Sequence, residues 1–190
     1  MTRASAVAIL VLLPVLAPAA TAGDLRVVDA NEVRGWLDIR AVAHGHGARK
    51  GLVTHRVVTH RPWRIPVLRR HGTVDLYFSR GPGKCVSMHV LIDSTKEGLR
   101  VRSRSVDPIG CGKYDDAGGS TPFEPIEAKL ARPNRRTLKI RLARRLLPGR
   151  GDYGWTGETS FRQEDTRCRR RCYDEAPNRG QPRGHIAHRM

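Results

Sequence analysis

Residues 73–93 read TVDLYFSRGPGKCVSMHVLID. In the first half Val74, Leu76 and Phe78 alternate with Asp75 and Tyr77. In the second, Val86, Met88, Val90 and Ile92 alternate with Ser87, His89 and Leu91. A period of two places successive side chains on opposite faces of an extended chain, so each half reads as a strand with one buried face. The Gly-Pro-Gly stretch between them reads as the loop of a hairpin. The same pattern recurs along the chain. Residues 36–44 read as a first strand, with Leu37, Ile39 and Ala41 on one face, and LVTHRVVTH (52–60) as a second. Residues 98–106 alternate with arginines outward, and 125–132 and 137–143 flank the turn Arg-Pro-Asn-Arg. Residues 152–161 read as the last strand. RPWRIP (61–66) reads as a breaker and ARRLLPGRGD (143–152) as a bend or a single helical turn. About eight short strands at regular spacing, with no long 3.6-residue period, predict an all-β fold: an antiparallel β-sandwich of jelly-roll or Greek-key topology.

The N-terminus has a different character. Arg3 precedes an apolar run from Ala4 to Leu16, and Ala20-Thr21-Ala22 supplies an A-x-A cleavage pattern. Residues 1–22 therefore read as a secretory signal peptide and the protein as secreted, with no spanning segment left after cleavage. The sandwich is expected over 23–161. Residues 162–190 are polar, Arg-rich and poor in large apolar side chains, and read as a basic surface tail.

An oxidising compartment makes disulfides the first reading of the cysteines. Cys85, Cys111, Cys168 and Cys172 allow three connectivities. Cys85–Cys111 with Cys168–Cys172 is favoured, the second pair needing a tight turn to bring its Cα atoms within about 7 Å. That turn would push Arg169, Arg170 and Arg171 outward as a cationic knob. Zinc at Cys168 and Cys172 would need His185 and His188 as further ligands, and their spacing matches zinc patterns only loosely.

The chain carries 35 Lys and Arg against 18 Asp and Glu, a formal net charge of +17. Such a surface attracts polyanions, including nucleic acid by charge alone. Arginine-rich, alanine-rich composition also follows from a GC-rich coding bias. Catalytic signatures such as H-E-x-x-H, G-x-S-x-G, Walker A and S-x-x-K do not occur.

Three sets of residues carry candidate sites. Trp63, Tyr153 and Trp155 are flat rings suited to stacking on sugars if exposed, with Arg169, Arg170 and Arg171 as anion contacts. His44 and His46 share a strand face and could hold a transition metal in a hydrolase. Asp29, Asn31 and Glu32 precede the first strand, while Asp174 and Glu175 lie near the other end. Sandwich ends often meet, so these oxygen ligands could share a structural calcium ion.

The segments GWLDIRAVAHGH (35–46), HRVVTHRPW (55–63), VDLYF (74–78), LARPNRRTLKIRLARRLL (130–147), YGW (153–155) and CRRRCYDEAPN (168–178) form an ordered set. As a set they resemble secreted bacterial β-sandwich proteins of unknown function, similar in outline to carbohydrate-binding modules. The resemblance covers most of the mature chain. It implies a sandwich and a sugar-binding outline, and assigns no individual binding residue. The expected function is a non-enzymatic binding module for an extracellular carbohydrate or acidic wall polymer. The alternatives are the His44/His46 hydrolase and a non-specific polyanion binder.

Overall fold

The computed structural model describes residues 25–33, 35–46, 51–81, 85–106, 121–148, 153–162, 171–177 and 186–188. The segment 1–22, expected to be a signal peptide, lies outside them, as do Cys111, Cys168, Arg169 and Arg170.

Two antiparallel sheets face each other. The smaller has the order β1-β2-β3-β9-β8: Leu25–Val28, Ile39–His46, Leu52–Thr59, Thr137–Ala143 and Ala128–Asn134. The larger has the order β11-β10-β4-β5-β6-β7: Cys172–Ala176, Tyr153–Phe161, Gly72–Ser79, Val86–Ser94, Leu99–Ser105 and Glu124–Pro125. A short β12, Ile186–His188, pairs with β10 beyond β11. Among the described residues no helix is long and apolar enough to cross a membrane.

The alternation seen in the sequence sets which side chains meet. Val74, Leu76 and Phe78 of β4, Val90 and Ile92 of β5, and Tyr153, Trp155 and Phe161 of β10 are buried between the sheets. They face Val53 and Val57 of β3 and Leu138, Ile140 and Leu142 of β9. Burying one such side chain is worth about 1.5–3 kcal/mol, so this layer dominates the stability of the fold. Gly72 is required by close approach, since a Cβ there would lie 2.4 Å from the Ser160 carbonyl oxygen.

Four local readings are corrected. Leu25–Val28, ahead of the segment expected to be the first strand, pairs with β2 from Leu25↔His44 to Val28↔Ala41. A six-residue helix α1, Ile65–Arg70, follows the breaker, with Pro66 in its first turn, where a missing N–H costs nothing. Leu68 anchors it in the core. The sheet does not end at residue 161, because Cys172–Ala176 pairs with β10 from Phe161↔Cys172 to Gly157↔Ala176. The segment is polar, yet Asp174 and Ala176 point inward and Cys172 packs on the core. Finally, a bulge between Ile39 and Ala41 shifts the register of β2 against β3. It puts Val42, rather than Ala41, in line with the core, and His44 follows on the same face.

Candidate metal centre

β1 ends at Val28, and the Asp29 N–H continues the ladder by donating to the Arg40 carbonyl at 2.8 Å. Three residues on, Glu32 stands exposed on the connection to β2. Asp174 projects inward from the middle of β11, opposite Thr159 of β10. Its Oδ2 accepts the N–H of Ile39, the first residue of β2. That bond ties the edge of the larger sheet to the start of a strand in the smaller one. Thr159 reinforces the seam by donating to the Leu37 carbonyl at 2.7 Å.

The result is a cluster of acids at the seam. One carboxylate oxygen from each of Asp29, Glu32 and Asp174 lies within 4.8 Å of the others. Asp38 adds its charge to both aspartates and is fully buried. Asp29 is 7% exposed and Asp174 is 4% exposed, so Glu32 forms the solvent side of the group. Asp29 Oδ2 is buried with no hydrogen-bond partner. Neither Asp29 nor Asp174 has an ion-pair partner among the described residues, in a chain with 35 Lys and Arg.

Electrostatics follow from this crowding. Burial pushes the Asp29 carboxyl up to about 7; the Glu32 charge pushes the same way, the Ala30 backbone opposes it, and Asp38 adds to the rise. Burial pushes Asp174 up to about 8, with the Ile39 N–H opposing and Asp29, Asp38 and Glu32 adding to it. A hard divalent cation relieves both causes at once. Calcium takes carboxylate oxygens at about 2.3–2.6 Å, so ligand oxygens across the ion lie up to about 5 Å apart. A spread of up to 4.8 Å fits that sphere. Magnesium, at about 2.0–2.1 Å, would need the group to contract.

Of the five residues expected to share calcium, the structure brings together Asp29, Glu32 and Asp174. Asn31 is exposed on the same connection. Glu175 follows Asp174 on a strand, so it faces the other side of the sheet, opposite Glu158. Asp38 was missed. Its signal was an acid wedged between Leu37 and Ile39 in a run expected to be a half-buried strand.

The stacking candidates are corrected. Trp63 is 3% exposed, and Tyr153 and Trp155 are fully buried, so none presents a face to a sugar. Odd-numbered positions of β10 point between the sheets, which fixes Tyr153 and Trp155 in the core. Trp63 is covered by Arg132, whose guanidinium lies 3.7 Å from the ring centroid and whose Nη2 donates to the Trp63 carbonyl at 2.8 Å. Arg171 is exposed. Arg169 and Arg170 lie outside the described residues.

The histidine pair is corrected in the same way. His44 is 5% exposed, and its Nδ1 accepts the Trp155 indole N–H at 2.7 Å. Fully buried His55 meets the Tyr153 hydroxyl through Nε2 at 2.9 Å and stands edge-on to Trp155. His44 therefore belongs to a packed aromatic layer, and the His46 side chain lies outside the described ones. Cys85 and Cys172 are both disulfide-bonded. The expected pairing involves Cys111 and Cys168, outside the described residues.

No family model, characterised protein or solved structure matches the chain.

Proposed function

We propose that this is an extracellular, calcium-binding β-sandwich module that holds an acidic polymer. The observation that carries the calcium assignment is the meeting of Asp29, Glu32 and Asp174, with Asp29 Oδ2 buried and unpartnered within the group. The ion would bridge the connection after β1 to β11 and so clasp the two sheets at their seam. Between the two polymers expected from the sequence, burial of Trp63, Tyr153 and Trp155 removes the support for neutral carbohydrate. The +17 charge supports the acidic polymer instead.

Retention on immobilised matrices tests this reading. The purified protein, with calcium present, is applied to a phosphate-bearing wall polymer and to cellulose. The reading expects retention on the anionic polymer alone, with release by about 0.5 M salt as ionic contacts are screened. Retention on cellulose that survives about 1 M salt, or no retention on either matrix, overturns it.

A further inference from the structure

The smaller sheet has a second face, turned away from the core. Val53 and Val57 of β3 and Leu138, Ile140 and Leu142 of β9 point inward, and Ala128 and Leu130 of β8 pack on the same core. Alternation therefore turns Arg56 of β3, Lys139 and Arg141 of β9, and Lys129 of β8 outward. Val27 of β1 and Val42 of β2 are paired and both reach the core, which turns their neighbours Arg26 and Ala43 outward as well. Register then lines the cations up. Arg26 lies opposite Ala43, Ala43 opposite Arg56, and Arg56 opposite Lys139. Two residues further along β9, Arg141 lies opposite Lys129. The order Arg26, Arg56, Lys139, Arg141, Lys129 crosses the sheet from β1 to β8 as one stripe. With strands about 4.8 Å apart, it spans roughly 19 Å.

Two observations point to an anionic occupant. Arg56 with Lys139 and Arg141 with Lys129 are like charges placed directly opposite each other, an arrangement that weakens a sheet. An anion laid over them turns that repulsion into attraction. In addition, the five strands of this sheet contain no Asp or Glu. The acid just ahead of β8, Glu127, is tied to Arg145 at 3.4 Å. On the larger sheet, by contrast, Arg100 and Arg102 are both matched by Asp93, at 2.7 and 2.8 Å. Arg26, Lys129 and Arg141 stand exposed and have no ion-pair partner among the described residues.

We propose that this stripe is where the acidic polymer lies: a linear polyanion laid across the five strands, its oxyanion groups meeting the cations in turn. Guanidiniums at Arg26, Arg56 and Arg141 suit paired contacts to such groups. A stripe this long favours a chain with a charge on every repeat over a single small anion. The inference rests on the acidic-polymer reading and adds the surface that would hold the chain.

Calorimetry with long-chain polyphosphate is the test, with triphosphate as the short probe and EDTA present so that calcium complexes neither. Wild type should bind the long chain saturably and roughly tenfold or more tighter than triphosphate, which is too short to cross the stripe. Lys129→Gln with Arg141→Gln should weaken the long chain by about tenfold or more, and Arg26→Gln, at the other end, by about threefold to tenfold. Arg69→Gln with Arg70→Gln removes the same charge from exposed positions on α1 and should cost less than about threefold. Thermal melts check that each variant is folded, and the Lys129/Arg141 variant should melt no lower than wild type because an opposed like-charge pair is gone. Equal loss in the two double variants overturns the proposal, since charge would then act diffusely. Triphosphate bound as tightly as the long chain, or no saturable binding of the long chain, overturns it too. Retention on the phosphate-bearing wall polymer separates the two readings. Retention that the Lys129/Arg141 variant keeps in full would sink the stripe alone. Stripe-dependent polyphosphate binding without retention of wild type would sink the polymer reading alone.

Discussion

Replacing Asp29 by Asn should change the protein's stability in opposite directions with and without calcium. The three carboxylates are drawn within 4.8 Å of one another. Two unit charges at that distance repel by about 3.5 kcal/mol at an effective dielectric constant near 20, and by about 1 kcal/mol in bulk water. Glu32 is solvent-exposed and its pair with Asp29 sits near the lower figure; Asp174 is buried and its pair sits higher. In EDTA at pH 9, where Asp29 with its value of about 7 is ionised, Asp29→Asn should stabilise the fold by roughly 1–3 kcal/mol. For a chain of this size that is a melting-temperature rise of about 2–4 °C per kcal/mol. With calcium the sign reverses. Extracellular calcium modules bind at about 0.1–1 mM, and an ion at a hundredfold its dissociation constant adds about 2.7 kcal/mol to the wild type. The variant lacks a ligand and loses most of that. Thermal melts of both proteins, in EDTA and in calcium, give the four values needed. A variant less stable than wild type in EDTA would refute the reasoning, because Asp29 would then be a hydrogen-bonding structural acid rather than a repelled one.

Further outcomes follow from the same geometry. The metal-free protein should lose stability as pH rises from about 4 to about 8: Asp29 and Asp174 have raised values in the fold, so their contribution is fully present below the ordinary carboxylate range and lost as pH passes about 7 and about 8. Melts in EDTA across that range check it, and a rising curve contradicts it. Tyr153→Phe removes the partner of buried His55 Nε2 and should cost about 1–3 kcal/mol by urea unfolding. Trp63→Ala should cost about 3–5 kcal/mol, as a core ring does, rather than leave stability unchanged as a surface stacker would. Gly72→Ala should destabilise the β4–β10 pairing, because its Cβ would have to displace the Ser160 carbonyl.

The sandwich was legible because β4, β5, β9 and β10 alternate cleanly and are separated by turn residues. Such runs can bury only one face, and a second sheet must cover it. The candidate centre was legible in part for a simpler reason, namely that acids at both ends of a sandwich meet if the ends meet. What sequence did not reveal depends on single residues of register. One bulge in β2 turns His44 from solvent into the aromatic layer, and an alternating pattern does not locate a bulge. β11 was hidden because its inward residues are a cysteine, an acid and an alanine, so its docking rests on Asp174 finding the Ile39 N–H more than on large apolar side chains. Trp63 was a stacking candidate if exposed, set between prolines and arginines, yet a different arginine, Arg132 from a distant strand, covers it.

The most direct test of the account is a count of bound calcium. Equilibrium dialysis of the full chain against labelled calcium, from about 0.01 to 10 mM, should give one ion per chain in the wild type. Asp174→Asn and Asp29→Asn should each abolish that binding while remaining folded in EDTA. No calcium bound at the top of the range, or binding unchanged in both variants, would contradict the assignment of the seam between β1, β2 and β11 as a metal centre.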